Sequence, residues 1–198
     1  MAGSMNLSNK GMRRHQRSQE QFVSRLLWGV VALLVVIALG YIGLQAMKSK
    51  PGASVPVMAS ARHIQVGEQH EAYNSDPPTS GPHYAQPAQA GFYDEALPDE
   101  TLVHNLEHGY VIIWYNCAGL SDSDCQTIKT QIKTVMDNAK PVTITGTKKL
   151  IAVPRPNMGT LIALTSWGRI DKLNSFNEQE MAEFINDFRN EAPEPGAP

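Results

Sequence analysis

His104 and His108 stand four residues apart in the stretch HNLEH, residues 104–108. A spacing of four puts two side chains on one face of a helix. Because it is even, it also puts them on one face of a strand, so both imidazoles can reach one ion under either assignment. Glu107, three residues after His104, is placed to orient an imidazole through a hydrogen bond, to accept a proton or to ligate. The competing reading is a pair of ordinary polar residues where a helix gives way to a strand. Five of the six histidines (His63, His70, His83, His104 and His108) crowd between residues 63 and 108, and none follows. Imidazole is the commonest metal ligand, so the crowding favours a metal site.

His83 closes a second stretch, PPTSGPHY at residues 77–84. Three prolines and a glycine in six residues leave little backbone freedom, so His83 is presented at small entropic cost. A rigid brace or a partner-binding surface would have the same composition. Met158 lies in PRPNMG at residues 154–159, expected as a hairpin tip, where core packing explains a methionine poorly. A thioether joined to imidazoles selects copper, which gives the expected metal set His83, His104, His108 and Met158, with Glu107 supporting it. Met58, in a flexible-looking stretch, is a weaker copper-capturing candidate. Zinc is the alternative ion, because H-x-x-E-H also matches the inverted zincin signature, with the glutamate as general base. Gly109 ends the helix directly after His108, which fits such a peptidase poorly.

The elements that must position these groups follow from periodicity and caps. Residues 98–108 have helix-start chemistry, with Pro98 at the first turn and Asp99 and Glu100 near the positive end of the dipole. Gly109 stops that helix, and YVIIWY at 110–115 reads as a buried strand. Ser121 with Asp124 opens a second helix, with Ile128, Ile132, Val135 and Met136 on one face. Asn177 with Glu180 opens a third, with Phe176 and Met181 spaced as a staple and Met181, Phe184, Ile185 and Phe188 forming the core stripe. His63–Val66 reads as a short strand, and Leu150–Val153 with Thr160–Ser166 as a hairpin. The pattern predicts one compact α+β domain with a mixed or antiparallel sheet and two to three helices. A wound parallel sheet is also compatible.

Upstream, Leu26–Leu44 carries no charge, and nineteen residues at 1.5 Å each span about 28 Å, close to the ~30 Å hydrocarbon core. Lys10, Arg13, Arg14, Arg17 and Arg25 precede it, which favours a cytoplasmic N-terminus and an extracytoplasmic domain. The rival reading is a cleaved signal peptide, but Ala59-Ser60-Ala61 lies too far beyond the run. The organisation expected is a basic tail over 1–21, a single-pass anchor in the lipid bilayer of the cell membrane over 22–46, a linker over 47–61, the domain over 62–190 and a disordered tail over 191–198. Cys117 and Cys125, with seven residues between them, should join outside the cytoplasm and close a ring that contributes roughly 2–3 kcal/mol. A redox pair would more often read C-x-x-C. Charged residues are 18% and the net charge is −2, which indicates no nucleic-acid partner.

PPTSGPHY, then H-N-L-E-H-G before a strand, then TSWGR before the last amphipathic helix, resemble an uncharacterised bacterial family catalogued only as a domain of unknown function. The resemblance covers His63 to the end of the last helix. It implies a membrane-anchored extracytoplasmic protein and puts His83, His104, Glu107 and His108 in its motifs, without an activity. Met158 belongs to none of them. Three classes follow: a periplasmic or cell-surface copper-binding or delivery protein, serving a membrane cuproenzyme or respiratory complex; a zinc-dependent hydrolase; and a non-catalytic assembly subunit of a membrane complex.

Overall fold

The computed structural model describes residues 25–43, 49–143 and 145–197, and the chain divides into two units between Ser49 and Lys50. In the first, helix α1 (Arg25–Gly43) has 19 residues and a mean hydropathy of 2.5. It is long and apolar enough to cross a membrane. The basic segment 1–21 and the flanks 22–24 and 44–46 lie outside the described residues.

In the second unit the elements are β1 (Ala53–Ser54), β2 (His63–Ile64), β3 (His83–Tyr84), β4 (Gly91–Phe92), α2 (Asp99–Glu107), β5 (Val111–Tyr115), α3 (Asp122–Asn138), β6 (Leu150–Pro154), β7 (Ile162–Ser166), β8 (Arg169–Leu173) and α4 (Glu178–Phe188). The strand β5 is apolar and buried at all five positions, so both its faces must be covered. It lies inside a six-stranded sheet of order β1-β8-β7-β5-β6-β4, while β2 and β3 form a separate two-stranded ribbon. The strands β4, β6 and β5 run parallel, and β7 pairs antiparallel with both β5 and β8. The fold is α+β with a mixed sheet.

Strand alternation sorts the core into two layers. Ile112 and Trp114 of β5 meet Leu102 and Leu106 of α2, with Ile151, Val153, Met158 and Ala163. Val111, Ile113 and Tyr115 face the other way, onto Ile132 and Val135 of α3 and Met181, Phe184, Ile185 and Phe188 of α4. Thus α2 packs on one face of the sheet and α3 and α4 on the other. Both expected caps form: Ser121 Oγ accepts from the Asp124 N–H and Asn177 Oδ1 from the Glu180 N–H, each at 3.2 Å.

Three local expectations are corrected. The strands β6 and β7 do not pair with each other, because β5 inserts between them; the hairpin is β7–β8. Residues expected as linker join the domain from Ala53, where β1 pairs with β8 and the Val55 N–H donates to the Gly168 carbonyl. The C-terminal residues, expected to be disordered, are tied to the domain. Asn190 N–H donates to Gly109 O (2.8 Å) and Glu194 N–H to Glu107 O (3.0 Å). The fully buried Lys149 Nζ donates to the carbonyls of Pro195 and Ala197, at 2.8 Å each. A buried ammonium needs every acceptor it can find, and the chain end supplies them.

Candidate metal centre

The ribbon and α2 build the site together. The strands β2 and β3 run parallel with His63 opposite His83, which sets the two imidazoles edge to face, ring centroids 4.9 Å apart. His104 of α2 lies 5.0 Å from each of them. Glu107 follows three residues later on the same helix face. Ligand-capable atoms of His63, His83, His104 and Glu107 all lie within 4.8 Å of one another. Donors to a single ion at ~2.0–2.2 Å are at most about 4.4 Å apart, so the group lies close to the spacing that a shared ion requires. His63 is exposed and His83 completely buried, so the group opens to solvent on the β2 side.

The proline-rich loop is held from several directions. The Arg155 guanidinium stacks over Trp114 at 4.9 Å and binds Asp76 in the loop and Asp99 at the start of α2, with contacts of 2.6–3.1 Å. Tyr73 Oη donates to the Pro82 carbonyl at 2.7 Å, and burial pushes that phenol's pKa up. Met58 N–H donates to Ser80 Oγ, and Gly168 N–H to the Thr79 carbonyl. Gly81 has φ +132°, and a Cβ there would lie 2.8 Å from both Met58 Sδ and Tyr73 Cε1, so glycine is required.

Hydrogen bonds assign the imidazole tautomers. A carbonyl only accepts, so Nδ1 of His83 donates to Gly81 O (2.9 Å) and Nδ1 of His104 to Tyr84 O (2.6 Å). In the neutral rings both Nε2 atoms therefore present lone pairs, the arrangement of ligating histidines whose other nitrogen is anchored. His83 Nε2 is buried without a hydrogen bond, yet sits 3.0 Å from Glu107 Oε2. Such a contact is favourable when the two atoms share a cation, whether a metal ion or a proton on Nε2. The residues present fit a metal ion on that observation. Burial lowers the His104 pKa to about 4, with the neighbouring imidazoles adding to the effect against the Tyr84 hydrogen bond, so this ring is neutral at ordinary pH.

His108 caps α2 and lies beside the group. Its Nε2 is 3.0 Å from His104 Nε2 and 3.7 Å from a carboxylate oxygen of Glu194. With Nδ1 of His104 bonded to Tyr84, the His108 Nε2–H is the donor to His104.

Of the expected metal residues, the structure brings His83 and His104 together with Glu107, and places His108 against His104. Met158 lies elsewhere, buried in the apolar layer with Leu102, Leu106 and Trp114. Met58 packs against Gly81 rather than among the imidazoles. His63 was not singled out from the other clustered histidines, and only its register with His83 across the ribbon identifies it. His70 pairs with Glu100 at 3.3 Å, apart from the group. Cys117 and Cys125 are joined, 2.02 Å between sulfurs, in the connection from β5 to α3.

No curated protein and no solved structure matches the chain. A family model described as "Protein of unknown function (DUF3105)" matches residues 63–198, which takes in every residue of the His/Glu group and the C-terminal segment. The chain belongs to the DUF3105 family.

Proposed function

We propose that this protein is an extracytoplasmic metal-binding protein, carried on a single N-terminal membrane helix, that holds copper as Cu(II) through His63, His83, His104 and Glu107. The observation that supports this most is the gathering of two imidazoles, each anchored through Nδ1 so that Nε2 carries the lone pair, beside one carboxylate. Three nitrogens and one oxygen without sulfur suit a divalent ion, a tetragonal N,O set suits Cu(II), and copper heads the affinity order for nitrogen sites. No thioether lies in the group, so its donors do not favour Cu(I). Exposed His63 allows exchange with solvent, which suits buffering or delivery to a membrane cuproenzyme or respiratory complex.

Zinc is the second reading, since the same donors accept a tetrahedral ion. The hydrolase version of it is weaker: Glu107 sits among the donors, where H-x-x-E-H enzymes need a base beyond them. The test is a competition titration of the full chain in detergent with Cu(II) and Zn(II). One Cu(II) per chain is expected, lost in His83→Ala and in His104→Ala. Tighter zinc than copper would favour the second reading, and no stoichiometric binding of either ion would overturn both.

A further inference from the structure

The C-terminal segment crosses the end of α2, beside the His/Glu group. Lys149 is completely buried and its three N–H groups are shared among four acceptors: the His108 carbonyl (2.7 Å), Asn190 Oδ1 (3.1 Å) and the carbonyls of Pro195 and Ala197 (2.8 Å each). One ammonium thus joins the end of α2 to the last residues of the chain. Glu194 N–H to the Glu107 carbonyl and Ala197 N–H to the Glu194 carbonyl fix the segment across that helix end. Gly109 allows the crossing: with φ +85°, a Cβ there would stand 2.7 Å from Asn190 Cα. The result is that Glu194 holds its carboxylate 3.7 Å from His108 Nε2, on a side chain 59% exposed and able to move.

From this we infer that Glu194 is a positioning residue of the metal centre, and that residues 191–197 form a strap that sets the site's affinity. The inference rests on the metal-binding reading above. His104 Nε2 accepts a hydrogen bond from His108 at 3.0 Å, and the same lone pair is the one His104 offers to an ion. The two uses exclude each other. When His104 ligates, the His108 Nε2–H must turn to another acceptor, and the Glu194 carboxylate needs to move by only roughly half an ångström to reach hydrogen-bond distance. No proton leaves His108; its donor changes partner. A carboxylate is a stronger acceptor than a neutral imidazole, so the exchange favours the metal-bound arrangement. The strap also explains why a proline-rich chain end is ordered at all.

The test uses the full chain in detergent, with Cu(II) and Zn(II) titrated separately against a competing chelator. Glu194→Ala should weaken binding of each ion about tenfold, the low end for partners that orient ligands, and Glu194→Asp should recover most of that loss. The melting temperature of the metal-free protein should be the same in all three. In the nitrogen-15 spectrum at saturating Zn(II), the His108 Nε2–H signal should move to that of a carboxylate-bonded N–H in the wild type and to that of a solvent-exchanging N–H in Glu194→Ala. Unchanged affinity in Glu194→Ala, with the wild type binding normally, would overturn the strap alone. A loss matched by a lower metal-free melting temperature and not recovered by aspartate would reduce Glu194 to a structural prop and overturn it too. A wild type that binds neither ion would remove the metal reading and this inference with it.

Discussion

His104 carries a clear electrostatic signature. Its pKa is lowered to about 4 from the ordinary 6.5, mainly by burial. Between those two pH values the unfolded chain binds a proton that the folded, metal-free chain does not, so stability falls as pH falls through the window. At ~1.4 kcal/mol for each pH unit crossed, the loss amounts to at most about 3 kcal/mol at pH 4. Melting curves of the metal-free protein from pH 7 to 4.5 should therefore show a steeper decline for the wild type than for His104→Gln. Parallel declines would mean that His104 titrates alike in both states. At this scale the sequence was partly legible. The motif residues His83, His104 and Glu107 meet in space, since a helix face and a rigid loop are local properties. His63 was hidden because its partner is across a parallel ribbon, and such register is not written in local spacing. Met158 misled for the opposite reason: its flanking proline and glycine mark a turn, but the side chain folds back under Trp114.

Among the elements, the junction from α2 to β5 does the most positioning. Gly109 takes a left-handed conformation after the His108 cap and lets Asn190 approach within contact. Gly109→Ala should therefore cost more than the ~1 kcal/mol of backbone strain alone, because the strap must shift as well. Gly159 also has positive φ, at +75°, with nothing within 4 Å of its would-be Cβ, so Gly159→Ala should incur the backbone part only. Thermal denaturation of the two variants measures the difference. Proteolysis after Asn190 should be faster in Gly109→Ala; equal melting points and equal proteolysis would show that the approach relaxes freely. The helices, their caps and the strand at 111–115 were readable from periodicity and capping chemistry. The hairpin partners of β6 and β7 were not, because a doubly buried strand can pair on either edge and sequence adjacency points to the wrong neighbour. The strap was unreadable too, as a Pro/Gly/Glu tail is held here by partners distant in sequence, the buried Lys149, 46 and 48 residues away, and the Glu107 carbonyl.

Across the whole molecule, three distant motifs converge on one region. PPTSGPHY supplies His83; HNLEHG supplies His104, Glu107 and His108; and TSWGR braces the loop through Gly168 N–H to the Thr79 carbonyl. Thr165 of the same motif accepts from Trp114 Nε1 at 2.8 Å, which ties the brace to the sheet. The disulfide stabilises the connection from β5 to α3 and stands apart from this region in the chain order. An exposed histidine beside two buried ones gives a site that is preformed yet reachable, which is what an ion carrier needs and what a purely structural centre does not. X-ray absorption spectroscopy of the copper-loaded full chain tests this account most directly. The predicted spectrum has a shell of nitrogen and oxygen at ~2.0 Å with the multiple scattering of three imidazoles and no sulfur shell near ~2.3 Å. A sulfur shell, or fewer than two imidazoles, would contradict the His63, His83, His104 and Glu107 site.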